Sequence, residues 1–197
     1  MLASSSVYRR ALLDRFGLEF EVVSPEVDEQ ARPGELPGDT ARRLALAKSE
    51  AVAQQFPDAV IIGSDQVACC EGLRLDKPLL ASRAEEALLA VRGKSIDFHT
   101  ALCVFDSGSG KRLQHTDLTR VQMRADLDPA SIRRYVELDR PLDCAGSARI
   151  ESLGVALLER CQSDDPTALV GLPLIALARL LRDVGIDPLQ PAPRPPA

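Results

Sequence analysis

The spacing of apolar residues along the chain predicts several helices. In these segments apolar side chains recur every three or four residues, as they do on the buried face of an amphipathic helix. Residues that favour helix starts, such as Asp128 before Pro129, mark some of the boundaries. The predicted helices run over 7–16, from Asp39 or Thr40 to about 56, from a capping box at 82–85 to Gly93, from 129 to about 138, and over 173–184.

Other segments have the apolar patterns of β-strands. Residues 18–23 alternate, and 59–70 form a largely apolar run that ends at the turn Glu71-Gly72, as a buried strand would. The loop 106–110 is suited to joining two antiparallel strands. Helices and strands mixed in this order predict an α/β fold with a mixed sheet. The predicted extended segments are 2–6, 18–23, 59–70, 96–105 and 113–123.

Length and C-terminal composition indicate one folded unit followed by a tail. The chain has 197 residues, of which 45% are apolar and 27% charged, and this fits one soluble domain or two closely packed lobes. Five prolines fall within residues 188–197, so we interpret that segment as a disordered tail. The folded domain is therefore predicted to span residues 1–187.

The charge balance excludes one class of partner and narrows the choice of metal. The chain carries 24 Lys and Arg residues against 29 Asp and Glu residues, a net charge of -5. This argues against a surface that binds the phosphate backbone of a nucleic-acid polymer. Carboxylates are plentiful but there are only two histidines, so a bound metal is expected to be Mg²⁺ or Mn²⁺.

Cysteine usage and the absence of long apolar runs favour a cytoplasmic protein. The five cysteines are odd in number and contain no C-x-x-C pair, so neither a disulfide framework nor a zinc site is expected. No apolar run approaches the ~18 residues of a membrane helix, and the N-terminus lacks the pattern of a signal peptide. We therefore expect reduced thiols, no membrane segment and a cytoplasmic location.

Two basic segments have the residue types that bind anions. Ser4, Ser5 and Ser6, followed by Arg9, would place hydroxyl groups and a guanidinium at a helix start, which suits a phosphate. The alternative is an ordinary serine cap with a solvated arginine. Lys48 falls on the apolar stripe of its helix, so it either extends to solvent or contacts an anion.

Asp65 is the leading candidate for a catalytic or metal-binding acid. It interrupts a strand that is apolar on both sides, so its carboxylate needs hydrogen bonds or a cation. The alternative is a structural Asp that closes a turn after Gly63-Ser64. Lys77, before Pro78, adds a further cation in an extended segment.

Several segments together resemble one protein family. The match follows the family's order over roughly residues 2–186, and its one departure is Val7, where the family usually has proline. The chain resembles the Maf family of nucleoside triphosphate pyrophosphatases. The segments that carry the resemblance are 2–10, 27–29 (Val-Asp-Glu), 63–67 (Gly-Ser-Asp-Gln-Val), 77–78 (Lys-Pro), 145–147 (Ala-Gly-Ser) and 170–174 (Val-Gly-Leu-Pro-Leu).

The resemblance implies a fold, a reaction and a set of site residues. The fold would be an elongated, twisted mixed sheet flanked by helices, with two lobes and a cleft. The reaction would be hydrolysis between the α- and β-phosphates of a nucleotide with a divalent cation. Asp65 would be the base or would orient the attacking water, and Glu29 and Asp65 would hold the metal. The residues that would bind the triphosphate are Ser4, Arg9, Lys48 and Lys77.

Three positions bear on the choice of nucleobase. In the family branch that acts on dTTP and UTP, the residues corresponding to Tyr8, Gln66 and Glu151 are typically Arg, Thr and Gln; here they are similar to the 7-methyl-GTP branch. A carboxylate at Glu151 can accept both N1–H and N2–H of guanine, whereas a pyrimidine offers one imide N–H. N7-methylation makes the base cationic, so Tyr8 and Glu151 would favour it by ~1–2 kcal/mol.

The resemblance therefore predicts a 7-methyl-GTP pyrophosphatase that clears modified nucleotides and whose partner is its nucleoside triphosphate substrate. Two alternatives stay open: a dTTP/UTP pyrophosphatase of the same family, and a nucleotide-binding regulator of septum formation that does not hydrolyse its ligand. A homodimer is compatible with each of them.

Overall fold

Three long antiparallel strands form the centre of the fold. The computed structural model describes residues 1–190, and within them the chain forms seven strands and five α-helices. The strands are β1 (Leu2–Ala3), β2 (Val22–Val23), β3 (Val60–Cys70), β4 (Leu73–Leu75), β5 (Ser95–Asp106), β6 (Lys111–Met123) and β7 (Leu158–Gln162). The helices are α1 (Val7–Leu13), α2 (Pro37–Ala53), α3 (Ala81–Val91), α4 (Pro129–Asp139) and α5 (Leu174–Arg182).

All the strands belong to one mixed sheet. Its order is β2-β1-β3-β5-β6-β7, and β4 pairs with the last residues of β3. β1 runs parallel to β2 and β3, whereas β3, β5, β6 and β7 are joined antiparallel. Because Ala3 at the end of β1 pairs with Gly63, the loop after β1 lies close to Asp65. The predicted α/β fold with a mixed sheet is confirmed.

Two hydrophobic clusters lie at opposite ends of the long strands. One contains Ile62 and Leu102 and packs against α1 and α5. The other contains Ala68 and Phe98 and packs against α3 and α4. Each buried leucine or phenylalanine contributes about 1.5–3 kcal/mol. The polar residues 64–66 of β3 fall between the two clusters, and this leaves them beside a cleft.

Two predicted helix starts are wrong. Neither Asp39 nor Thr40 caps α2, because the helix begins at Pro37, whose fixed φ suits the first helical position. The predicted capping box at 82–85 does not form either; α3 begins at Ala81, and no side chain among residues 1–190 caps it. By contrast, Asp128 caps α4 as predicted, and its carboxylate accepts a hydrogen bond from the Ser131 N–H at 2.7 Å.

The predictions for the three long central strands were accurate. The segments 59–70, 96–105 and 113–123 correspond to β3, β5 and β6. The predicted strand 18–23 is reduced to the two residues of β2, and β7 was not predicted because four of its five residues are exposed and it has no apolar pattern.

The predicted tail falls largely outside the described residues. Residues 188–190 are described and lie in a turn in which Asp187 accepts from the Leu189 N–H at 3.0 Å; residues 191–197 are outside the description. No helix within residues 1–190 has the length and apolar character needed to cross a membrane.

Candidate active site

A cleft beside β3 brings the predicted site residues together. A cavity of about 560 Å³ opens between the β1–α1 loop, α2 and the segment after β4. A smaller cavity of about 110 Å³ adjoins it and shares several lining residues with it. The larger cavity is lined by Ser4, Tyr8, Arg9, Glu29, Lys48, Asp65, Gln66 and Lys77, and Glu151 lines the smaller one.

Lys48 joins the two predicted acidic residues. Its Nζ lies 2.6 Å from Asp65 Oδ1 and 2.6 Å from Glu29 Oε1. The Lys48 and Asp65 side chains are buried, whereas that of Glu29 is 56% exposed. Partial burial would raise the pKa of Glu29, but the contact with Lys48 outweighs it, so the pKa is lowered. Of the two alternatives for Lys48, the structure supports contact with an anion rather than extension to solvent. The anionic groups are the carboxylates of Glu29 and Asp65.

The alternation of side chains along β3 explains this pairing. Gly63 and Asp65 are two residues apart and therefore point to the same face, toward α2. A Cβ atom at Gly63 would lie 2.2 Å from the carbonyl oxygen of Ala45, so glycine allows α2 to approach this strand closely. Lys48 follows Ala45 by three residues and lies on the same side of the helix. The close approach at Gly63 thus places Lys48 against Asp65.

Ser4 and Arg9 lie side by side at the start of the cleft. Arg9 Nη1 donates to Ser4 Oγ at 3.4 Å, and Arg9 Nε donates to the carbonyl oxygen of Gly171 at 2.9 Å. Burial lowers the pKa of the Arg9 guanidinium, and the charges of Asp65 and Glu29 oppose that shift. The guanidinium keeps its charge at neutral pH, so it presents a fixed cation to the cleft.

Gln66 points to the opposite face of β3. Its Nε2 lies 2.9 Å from Thr100 Oγ1 and 3.0 and 3.1 Å from the carbonyl oxygens of Ala168 and Leu169, so its two hydrogens are shared among three acceptors. Its Oε1 has no hydrogen-bond partner within residues 1–190 and is available to a ligand in the cavity.

Tyr8 is held from two sides in the smaller cavity. Its hydroxyl donates to Asp143 Oδ1 at 3.2 Å, and the guanidinium carbon of Arg149 lies 5.5 Å from the centre of its ring. Burial and the neighbouring Cys144 and Asp143 raise the pKa of Tyr8 to about 12, so its phenol is neutral. Partial burial also raises the pKa of Glu151.

Lys77 reaches the cleft as a cation that contacts no acceptor within residues 1–190. It lines both cavities, and within residues 1–190 its ammonium group forms neither a hydrogen bond nor an ion pair. An exposed lysine in this state can contact an anionic ligand without first breaking a protein contact.

The two predicted metal ligands fit a magnesium-type ion that also binds a phosphate chain. Within residues 1–190, no group of three or more His, Cys, Asp or Glu side chains could hold a metal. Glu29 and Asp65 are close enough to share one cation, because both contact the same ammonium group at 2.6 Å. Mg²⁺ is commonly held by one or two carboxylates together with substrate phosphates, so this donor set suits such an ion.

Comparison with known proteins identifies the family. A family model described as Maf-like protein matches residues 1–184. The chain belongs to the Maf family. Three similar Maf proteins are named 7-methyl-GTP pyrophosphatase. That of Xanthomonas axonopodis pv. citri is 54% identical and covers 95% of this chain and 97% of its own length. Those of Aromatoleum aromaticum and Cupriavidus pinatubonensis are each 51% identical and cover 94% of this chain, and 95% and 92% of their own lengths.

Some residues of this Maf site were not predicted from the sequence. Asp143 and Arg149 hold Tyr8, and Thr100 and the loop 168–171 hold Gln66. The Val-Gly-Leu-Pro segment at 170–173 was part of the family resemblance, but nothing in its sequence indicates that the preceding carbonyl groups bind a side chain of β3. These contacts depend on the packing of segments that are far apart in the chain.

Proposed function

We propose that this Maf protein hydrolyses 7-methyl-GTP to 7-methyl-GMP and pyrophosphate. The observation that carries the proposal is the arrangement of one cleft, where Arg9, Lys48 and Asp65 lie next to a smaller cavity lined by Tyr8 and Glu151. A phosphate chain and a cationic base have matching partners in these two places. The names of the similar proteins in three organisms support the same reaction.

The cationic and hydroxyl groups of the cleft would bind the triphosphate. Arg9 and Ser4 are already hydrogen-bonded to each other at 3.4 Å, so they form one preorganised pair. Lys77 would approach the phosphates from the segment after β4. Phosphoryl transfer depends chiefly on stabilising charge on the phosphoryl oxygens, and these three side chains supply that stabilisation.

Asp65 would accept a proton from the attacking water or orient it. Its Oδ1 is held by Lys48 at 2.6 Å, and its Oδ2 has no hydrogen-bond partner within residues 1–190. The water would attack the α-phosphorus, the bond from the α-phosphorus to the bridging oxygen would break, and pyrophosphate would leave. Lys48 keeps the carboxylate of Asp65 in place during this step.

Glu29 and Asp65 would hold the divalent cation, Mg²⁺ or Mn²⁺, together with phosphate oxygens of the substrate. When bound, such an ion neutralises phosphate charge and lowers the pKa of the attacking water. Lys48 contacts both acids, so it would offset part of their negative charge alongside the ion.

The smaller cavity would bind the base. The aromatic ring of Tyr8 and the carboxylate of Glu151 favour a cationic, N7-methylated guanine over a neutral one. Asp143 adds a second carboxylate to the lining of this cavity.

A cytoplasmic location also belongs to the proposal, and the five free cysteines support it.

Pyrophosphate release tests the proposal. We expect metal-dependent release from 7-methyl-GTP that exceeds release from GTP, dTTP and UTP, and loss of release in Asp65→Asn. Asp97→Asn is a matched control. Asp97 lies on neighbouring β5, outside the lining of the cleft, and its Oδ1 is 2.6 Å from Arg120 Nε. No metal-dependent turnover of any nucleotide, or turnover that survives Asp65→Asn, contradicts the proposal. A preference for dTTP and UTP would favour the other branch of the family instead.

A second measurement tests the assignment of Glu151. Glu151→Gln removes the negative charge but keeps the size of the side chain. We expect it to reduce the preference for 7-methyl-GTP over GTP and to improve relative turnover of pyrimidine nucleotides. An unchanged substrate ranking would contradict this assignment.

A further inference from the structure

The amide group of Gln66 is fixed in one orientation. Its Nε2 lies within 3.1 Å of the carbonyl oxygens of Ala168 and Leu169. These oxygens accept hydrogen bonds and cannot donate them, so a rotated amide would place its own oxygen against two others. Gln66 therefore keeps its N–H groups toward the protein, and the atom available to the cavity is the acceptor Oε1.

Thr100 connects Gln66 to the loop that surrounds it. The residue is fully buried. Its hydroxyl accepts from Gln66 Nε2 at 2.9 Å and donates to the carbonyl oxygen of Ala168 at 2.9 Å. One hydroxyl group thus uses both its donor and an acceptor site to hold the orientation of Gln66.

Asp165 holds the segment 165–175 that contains this loop. The side chain is buried, with 3% of the residue exposed. Its Oδ1 accepts from the Thr167 N–H at 2.9 Å and from the Thr167 hydroxyl at 2.7 Å, and its Oδ2 accepts from the Ile175 N–H at 2.7 Å. Both ends of the segment are tied to one carboxylate, and this keeps the carbonyl groups of 168 and 169 directed at β3.

We propose that Thr100 and Asp165 are positioning residues for nucleobase selection, and that they act by fixing Gln66 as a hydrogen-bond acceptor in the base cavity. The inference rests on the proposed function. An acceptor at Gln66, together with the acceptor Glu151 in the same cavity, favours a purine whose Watson–Crick edge carries N–H donors. Guanine has adjacent donors at N1 and N2 and hypoxanthine has a donor at N1, whereas adenine has an acceptor at N1 and its donor at N6. An acceptor positioned to bind N1–H would therefore face the N1 lone pair of adenine and stay unpaired.

The ratio of kcat/KM for GTP to that for ATP measures this selection, with ITP as the hypoxanthine nucleotide. Thr100→Val keeps the shape of the side chain but removes its hydroxyl. We expect a fall in the GTP to ATP ratio of about fivefold, the typical worth of one hydrogen bond. Asp165→Asn should lower the ratio in the same direction, since an amide cannot accept at both oxygen positions.

Asp117→Asn is the matched control for Asp165→Asn. Asp117 is also buried. The Ser163 hydroxyl lies 3.3 Å from Asp117 Oδ1 but donates at the shorter distance of 2.7 Å to the Asp165 carbonyl oxygen, and within residues 1–190 Asp117 has no direct hydrogen bond to segment 165–175. We expect this variant to keep the wild-type ratio. Circular dichroism melting curves identify a variant that fails to fold; if Asp165→Asn is one of these, the isosteric Thr100→Val decides the test.

A double-variant cycle separates positioning from a general loss of packing. Gln66→Met should lower the GTP to ATP ratio by itself, and adding Thr100→Val to it should have no further effect, because Thr100 acts through Gln66. Calorimetric binding of GMP and AMP should follow the same order. A ratio that is unchanged in Thr100→Val, or a further loss in the Gln66→Met background, overturns the inference.

The wild-type protein distinguishes this inference from the proposed function. If it prefers dTTP and UTP or turns over no nucleotide, the proposed function fails and this inference fails with it. If it hydrolyses 7-methyl-GTP and selects GTP over ATP, but the selection survives Thr100→Val, only the inference about positioning is wrong.

Discussion

Replacing Lys48 by methionine removes the cation from a buried ion pair at the centre of the site. Met is similar in length and keeps the apolar stem, so the main change is the loss of the ammonium group 2.6 Å from Asp65 Oδ1. Removing one partner of a buried pair typically costs about 3–5 kcal/mol, because the remaining charge is left without compensation. The contact with Glu29 adds little, since that side chain is 56% exposed.

The expected loss of stability can be measured by thermal denaturation and by urea denaturation. At about 3 kcal/mol, and 2–4 °C per kcal/mol for a chain of this size, the Tm of Lys48→Met should fall by roughly 6–12 °C. The double variant Lys48→Met/Asp65→Asn should recover most of this loss, because it leaves no unpaired charge in the interior.

A surface ion pair supplies the control. Arg120 Nε lies 2.6 Å from Asp97 Oδ1, and the Arg120 side chain is 54% exposed. Arg120→Met should therefore cost less than about 1 kcal/mol. If Lys48→Met costs no more than Arg120→Met, or if the effects of Lys48→Met and Asp65→Asn simply add in the double variant, the reasoning about the buried pair is refuted.

Three further changes test other parts of the structure. Gly63→Ala would put a Cβ 2.2 Å from the backbone oxygen of Ala45, so thermal melts should show a lower Tm and pyrophosphate release should fall. Gly38→Ala is the control: its Cβ would lie 3.3 Å from the ring of His99, and it should keep the wild-type Tm and pyrophosphate release. The pKa of Glu29 is lowered, so its contribution to stability is present above about pH 4.5 and is lost as the pH falls through the lowered pKa. In urea titrations, the free energy of unfolding of Glu29→Gln should therefore depend less on acid pH than that of the wild type. The pKa of Glu151 is raised, so on acidification its carboxylate is protonated at a higher pH than the carboxylate of an ordinary glutamate. The preference for 7-methyl-GTP over GTP should decline over the same pH range. A pH profile of kcat/KM for Glu151→Gln should lack this decline.

Patterns within one segment were sufficient to predict the central strands and most helices. β3 and β5 are buried over long stretches, so their apolar runs are clear in the sequence. β6 is buried at only four of its thirteen residues, and it was predicted because it follows the loop 106–110, which is suited to joining antiparallel strands. Helix starts were less predictable where a proline or a tertiary contact sets the first turn, as at Pro37 in α2. β7 was missed because its pairing with β6 is a backbone interaction that leaves its side chains exposed.

The site was predictable to the extent that each residue is unusual in its own segment. Lys48 on an apolar helix face and Asp65 in an apolar strand both indicate a charged partner, and the structure makes each the partner of the other. The partners of Gln66 gave no such signal, because Thr100 and the carbonyl groups of Ala168 and Leu169 are ordinary residues whose role comes from their position in the fold.

Asp65 and Gln66, neighbouring residues of β3, have separate supports, which under the proposed function serve catalysis and base selection. Asp65 points toward α2, where Lys48 holds it and Gly63 permits the close approach, whereas Gln66 points to the other face and is held by Thr100. Because the two supports lie on opposite faces of one strand, a change in one need not disturb the other. Thr100→Val should therefore alter the GTP to ATP ratio with little effect on turnover of the best substrate. Gly63→Ala should act in the opposite way, since a shift of α2 moves Lys48 from Asp65 and reduces turnover of every nucleotide alike.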